Sequence, residues 1–377
     1  MRLTEEQILL RDTAREFAQN ELAPFAAEWD REAHFPKEAL AALGRLGFMG
    51  MLVPEQHGGA GADHVGYALA IEEIAAGDGA TSTIVSVNAL CCGILLQYGS
   101  EEQKQRFLTP MAQGDTLAAF CLTEPHTGSD AGAIKTRARR DGNRWLLNGT
   151  KQFITSGSTA EAAIIFAVTD PDKGSKGISA FIAPTDAPGY RVARLEKKLG
   201  QRASDTAQLV FEDLEVTPDR MIGAEGEGYR IALANLEAGR ISIAAQAVGM
   251  ARAAYEAAVA YAKERETFGK RIIEHQAVGF RLADMSTQIA AARGLVLDAA
   301  QRRDAGEPCL QEASMAKLFA SEMAERVASD AIQIHGGYGY VADFPVERIY
   351  RDVRVCQIYE GTSDVQRLVI AREIAKG

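Results

Sequence analysis

A mainly α-helical chain with a β domain inserted in its middle is what the sequence predicts: an N-terminal helical domain over 1–113, a β-barrel-like domain over 114–226 and a C-terminal four-helix bundle over 227–377. Three observations predict it. Capping boxes and helix-period apolar positions fill the first third. After Gly114 the period changes to alternation, punctuated by Gly, Pro and Asp. From Tyr229 the helical pattern runs far beyond the mean helix length of about 11–12 residues, so the segments can bury their apolar stripes only against one another.

Thr4-Glu5-Glu6-Gln7 has capping-box spacing, with Leu3 and Ile8 at the two positions of a hydrophobic staple, so a helix starts there. Leu10, Ala14, Phe17 and Ala18 give it one apolar face before Pro24. Pro36 opens another helix that runs through Leu46 to Gly47. The pattern continues through Val65–Ala76 and Thr81–Gln97, and Ser100-Glu101-Glu102-Gln103 makes a second capping box. Arg137–Arg140 and Arg144–Leu147 flank Asp141-Gly142 as a hairpin whose turn needs positive φ. Ala162–Val168, Ile178–Ile182, Tyr190–Leu195 and Gln208–Val216 add β-like runs. Long helices are expected over Tyr229–Arg265, His275–Arg303 and Leu310–Ile334.

The 377 residues carry 41 Lys plus Arg against 51 Asp plus Glu, a net charge of −10, which lacks the electrostatic footprint of a nucleic-acid or anionic-lipid binder. Apolar runs such as Ala89–Leu96 fall short of the ~20 residues that cross a bilayer, so no membrane insertion is expected. The first residues enter an acidic helical pattern rather than a signal or transit sequence. That implies the cytoplasm, or the mitochondrial matrix for a mature organelle form. Five cysteines without a C-x-x-C pair read as reduced core residues, and six scattered histidines give no metal spacing. The P-loop, the G-x-S-x-G elbow and the Rossmann glycine pattern are all absent; Gly223, Gly226 and Gly228 read as a loop into a long helix.

Four segments stand out, each unremarkable alone. Phe120-Cys121-Leu122-Thr123-Glu124-Pro125-His126-Thr127-Gly128-Ser129-Asp130 is a β-like run passing into a hydroxyl-rich loop. In Lys151-Gln152-Phe153-Ile154-Thr155-Ser156-Gly157 an aromatic and a hydroxyl two apart would share a strand face. Arg265-Glu266-Thr267-Phe268-Gly269, with Gln276 downstream, sets a cation and an aromatic at a helix break. Gln333 to Tyr340 and Gln357 to Asp364 combine adjacent glycines with a Glu-Gly turn. Their order resembles the acyl-CoA dehydrogenase family over essentially the whole chain, as do Leu236–Arg240 and Tyr350-Arg351-Asp352.

The resemblance implies FAD held between the β domain and the bundle, in a homotetramer whose neighbouring subunit covers part of the cofactor. It implies that Leu122, Thr123 and Ser129 meet the flavin edge and pyrophosphate, with Ser129 also beside substrate, and that Phe153 and Thr155 contact the flavin. Arg265, Phe268 and Gln276 match residues that reach the adenine half of a neighbour's FAD; Gln333, Gly336 and Gly337 match a glycine-rich crossing of it, with Thr362 and Asp364 at its near end. Glu360 matches the base that takes the proton alpha to the thioester carbonyl, its own amide bonding the thioester oxygen and Gly361 lying beside substrate. Glu237 and Arg240 match positions that contact CoA, against the plain alternative of an exposed ion pair at i,i+3.

Such a proton is weakly acidic, so an aligned, desolvated carboxylate and hydrogen bonds to the developing enolate are what the chemistry requires. In isovaleryl-type relatives the base comes from the position of Gly239, which here has no side chain. Phe153 stands where Trp is common, Asp364 where Glu is frequent and Glu237 where Asp is frequent. No Lys, Arg or His lies between Glu73 and Lys104, which disfavours a dicarboxylic substrate. The expected substrates are butyryl-like, then isobutyryl- or 2-methylbutyryl-CoA, in fatty-acid β-oxidation or branched-chain amino-acid breakdown, with an electron-transferring flavoprotein as acceptor. A flavin oxidase or monooxygenase on the same scaffold and a non-catalytic acyl-CoA-binding protein are the alternatives.

Overall fold

The structure, a computed structural model, describes residues 2–376. α1 (Glu5–Phe17) starts at the expected capping box: Thr4 accepts from the Gln7 amide and the Gln7 side chain accepts from that of Thr4. Leu3 packs on the core, whereas Ile8, its expected staple partner, is exposed. α2 (Ala26–Glu32), α3 (Lys37–Arg45), α4 (His64–Gly77), α5 (Gly79–Tyr98), α6 (Glu101–Gln103) and α7 (Thr109–Gln113) complete the N-terminal domain. α5 revises the expectation drawn from Ala89–Leu96. The helix has 20 residues and is long and apolar enough to cross a membrane, but most of it is buried against α4 and its other neighbours as a core helix.

β1 (Ala118–Cys121), β2 (Arg137–Asp141), β3 (Arg144–Thr155), β4 (Ala162–Val168), β5 (Ile178–Pro184), β6 (Tyr190–Leu195), β7 (Thr206–Val216) and β8 (Met221–Ile222) form one sheet. Its order is β6-β7-β3-β2-β4-β5-β8, with β1 parallel to β4 beside the single β2–β4 bridge. It is barrel-like but open, since among the described residues no ladder joins β6 to β8. One face closes on Trp145, Ile165, Phe181, Leu209 and Phe211, a core shared by most of the strands. On the other face Ile164, Phe166 and Ile182 pack on Cys91, Ile94 and Leu95 of α5. Strict alternation along β4 thus feeds two cores. Asp141 pairs with Arg144, so the tight turn is Gly142-Asn143, one residue later than expected, with positive φ at Gly142.

α8 (Gly228–Glu264) leads through a short hairpin, β9 (Glu266–Thr267) and β10 (Lys270–Arg271), into α9 (Gln276–Asp304) and α10 (Leu310–His335). α11 (Val346–Val353) and α12 (Ser363–Lys376) follow. α8, α9 and α10 pack on one another and α12 on α10, while α4 lies against both α8 and α9. A side chain at Gly249 would put Cβ 2.1 Å from the Glu72 carbonyl oxygen, so glycine sets how closely α8 and α4 approach. The five cysteines are free and buried.

Beside that contact, Glu72 and Glu73 are almost fully buried and share three arginines. Arg252 reaches Glu72 at 3.0 Å and also pairs with Glu73; Arg15 meets Glu73 at 2.8 Å and Arg293 Nε meets Glu72 at 2.8 Å. The cluster ties α1, α4, α8 and α9 together. Arg252 is the arginine common to both, and without it each buried carboxylate keeps one more exposed arginine and loses its buried partner. Arg252→Met is therefore expected to lower the thermal unfolding midpoint clearly, whereas Arg11→Met, at a surface pair, should leave it nearly unchanged; calorimetry of the two variants checks this.

Candidate active site

The loop after β1 is pinned from below. Glu124, buried, accepts from the Lys135 amide at 2.6 Å, from the Thr136 amide at 2.9 Å and from the fully buried Lys151 Nζ at 2.8 Å. Burial would raise the Glu124 carboxyl, but Lys151 and the amides outweigh it and hold it below the usual carboxylate range. Lys151 Nζ also donates to the Leu122 carbonyl at 3.0 Å, while the Leu122 side chain is buried in the core between the sheet and α5 and does not line the site's cavity. Thr123 and Ser129 stand on one wall of that cavity, which is about 760 Å³.

Phe153 and Thr155 line the same cavity, although the alternation expected to align them fails. β3 bulges against β7 between Lys151 and Ile154, Phe153 has φ 58° and its ring is 63% exposed. The bulge, not the strand period, presents the aromatic. Glu360, Gly361 and Thr362 form the opposite wall. Glu360 has φ 52° and Gly361 φ 88°, two successive left-handed residues, and the Glu360 carboxyl lies against Gly239 of α8.

Glu360 is half-buried as a residue, yet its Oε2 is enclosed without a hydrogen-bond partner. Burial pushes its carboxyl up to about 7, against the opposing pull of Lys317 and Arg240. It lines this cavity and its carboxyl abuts Gly239 on the lining of a second one. The second, about 270 Å³, is lined by Met49, Leu90, Leu96, Ile241, Tyr67 and Gly239 among others. A Cβ on Gly239 would lie 3.1 Å from the Glu360 carboxyl carbon, so the two positions compete for one volume. The basic side chains on the lining, His64 and Arg303, are engaged by Asp304 at 2.7 Å and Glu237 at 3.1 Å.

The alternative of an exposed Glu237–Arg240 pair does not hold. Arg240 is buried, donates to Ser314 Oγ at 3.3 Å and faces Glu360, while Glu237 pairs with Arg303. Arg265, Phe268, Gln333, Gly336 and Gly337 line two adjoining hollows separate from the cavity at Glu360. Phe268 tips the β9–β10 hairpin at φ 53° and is 96% exposed, and a Cβ on Gly336 or Gly337 would meet nothing. Exposed Gln276 starts α9 between two residues of that lining. Asp364 is exposed at the start of α12, 3.7 Å from Arg367, outside the cavity lining.

Several site residues escape a reading of motifs. Lys198, Gln201 and Ser204 line the larger cavity from the segment between β6 and β7, and Ser204 Oγ is buried without a partner. Lys317 is fully buried, and its signal was present: it lies in the helical phase of Ala313, Ala320 and Ala324, where a core residue belongs. The larger cavity, with hydroxyls on both walls, an exposed aromatic at its rim and an orphaned Ser204 hydroxyl, fits a planar, hydrogen-bonding cofactor such as FAD.

Three family models match in order: the N-terminal domain of acyl-CoA dehydrogenase over residues 4–115, its middle domain over 119–214 and its C-terminal domain over 226–375. An acyl-CoA dehydrogenase of Bacillus subtilis is 49% identical with 100% of both chains covered. The mitochondrial short-chain specific acyl-CoA dehydrogenase of Rattus norvegicus is 46% identical over 99% of this chain and 91% of its own. The structure of butyryl-CoA dehydrogenase from Megasphaera elsdenii superposes with a TM-score of 0.98 at 42% identity, over 100% of this chain and 99% of that one. With every domain matched in sequence order and relatives aligned almost end to end, the chain belongs to the acyl-CoA dehydrogenase family and is an FAD-dependent oxidoreductase.

Proposed function

We propose that Glu360 is the base of this acyl-CoA dehydrogenase and that its substrates carry short acyl groups. One observation carries the assignment: Glu360 lines the larger cavity and its carboxyl abuts Gly239 on the lining of the smaller, mostly apolar one, with Oε2 enclosed and without a partner. An acyl chain entering the smaller cavity brings its alpha carbon to that carboxylate. Glu360 takes the alpha proton as the C–H bond breaks, the electron pair forms the 2,3-double bond, and a hydride leaves the beta carbon. Bound FAD supplies the acceptor for that hydride.

Thr123, Ser129, Phe153, Thr155 and Thr362 are the residues that would hold the flavin half, with Leu122 beneath them and Asp364 at the outer end. Developing negative charge on the thioester oxygen would be met by the amide of Glu360, with Gly361 beside it and the cations Arg240 and Lys317 nearby. Glu237, held by Arg303 at the smaller cavity, would face the CoA portion. Butyryl-CoA is the first substrate to test, followed by isobutyryl- and 2-methylbutyryl-CoA; α5 contributes no cation to the small cavity that could meet a second carboxylate.

Arg265, Phe268, Gln276, Gln333, Gly336 and Gly337, in their separate hollows, would serve a neighbouring subunit's FAD in a homotetramer. Family membership supports an electron-transferring flavoprotein as the electron acceptor, and bacterial cytoplasm or mitochondrial matrix as the compartment.

The deciding experiment is the anaerobic visible spectrum of the FAD-loaded enzyme during addition of butyryl-CoA. The oxidised-flavin band should bleach; a flavin band that no acyl-CoA bleaches would sink the assignment. Glu360→Gln should keep the flavin and lose about 10²–10⁴-fold in the rate of bleaching. Because the carboxyl sits near 7 and must be ionised to accept a proton, the rate should fall as pH drops through about 7, seen in single-turnover rates against pH. Gly239→Ala, which crowds the carboxylate, should slow bleaching by about ten-fold or more with flavin content unchanged.

A further inference from the structure

We infer that Lys317 is a positioning residue for Glu360, holding the turn that carries the base by its hydrogen bond to the Gly361 carbonyl. This rests on the reading of Glu360 as the base. Lys317 has no solvent exposure and occupies the core face of α10, between Ala313 and Ala320, where an apolar residue would cost far less to bury. Among the described residues its ammonium has no carboxylate within ion-pair distance. Its Nζ donates instead to the carbonyl of Gly361 at 2.7 Å.

Gln366, equally buried, donates from Nε2 to the carbonyls of Glu360 and Gly361 at 3.1 and 2.9 Å. The two side chains therefore grip both carbonyls of a turn whose first residue is a non-glycine in the left-handed region, a conformation that persists only where its surroundings over-determine it.

The charge has a separate effect. The groups facing Glu360 are Lys317 from α10, Arg240 from α8, Tyr67 from α4 and Cys91 from α5; those facing Lys317 are Glu360, Arg240, Cys356 and Glu322. Burial lowers Lys317 to about 8, so it is still mostly cationic at neutral pH, and with Arg240 it opposes the rise that burial imposes on Glu360. Without that cation the carboxylate would need a higher pH to ionise.

The test reads proton removal without electron transfer. Methylthioacetyl-CoA has sulfur in place of the beta carbon, so no hydride can leave, while its alpha hydrogens can still exchange with D₂O and be counted by mass spectrometry. Purified holoenzyme is compared with Lys317→Gln, which keeps a donor for Gly361 but not the charge, and with Lys317→Met, which loses both; Gln366→Leu removes only the neutral grip. Both Lys317 variants should move the acid limb of exchange up by about one pH unit, a tenfold loss at a fixed acidic pH. Lys317→Met and Gln366→Leu should also lower the plateau at high pH, and Gln366→Leu should leave the midpoint in place. An unmoved plateau in Lys317→Met would overturn the inference alone, and an unmoved midpoint in Lys317→Gln its charge effect, whereas no exchange by the wild type would overturn the base assignment and the inference with it.

Discussion

A carboxylate taken out of water must either be given partners or be left basic, and this fold does both. Glu72, Glu73 and Glu124 are buried with arginines, lysine and backbone amides at every turn. Glu360 is dried by the same packing, but its Oε2 is given nothing to bond. The surrounding architecture maintains that difference. The N-terminal domain supplies Tyr67 and Cys91 around it, the bundle supplies Arg240 and Lys317, and the β domain faces it across the larger cavity.

α8 is the element through which these contributions are brought into register. Within one stretch, Gly239 gives way to the Glu360 carboxyl, Ser242 joins Tyr67 at 2.9 Å and Ser86 at 2.7 Å, and Gly249 lets α4 close in. Gln246 reaches the Gly79 carbonyl at 3.0 Å and accepts from the hydroxyl of Tyr359, the residue before Glu360. A long helix with small residues on its buried side can make all of these contacts at once because its backbone, rather than bulky side chains, meets its neighbours.

Most of the fold was legible because its signals are local. Thr4 to Gln7 and Ser100 to Gln103 form the capping boxes their spacing implies, and β4 and β6 coincide with the β-like runs Ala162–Val168 and Tyr190–Leu195. The site was legible as motifs but not as geometry. Nothing in the order of residues 151 to 155 announces a bulge, because the extra residue is defined only against β7. Arg240 reads as half of a surface pair until α10 and the Glu360 turn are packed over it. Lys317 violates the apolar phase of its helix, and that local conflict was the one sign in the sequence of a polar partner waiting in the core.

The shared volume at Gly239 and Glu360 also bears on how such a site can change over generations. A carboxylate arising at 239 would collide with the one already at 360. The two positions are therefore expected to change as a linked pair. The glycine is thus a condition set by position 360 as much as a packing requirement of α8.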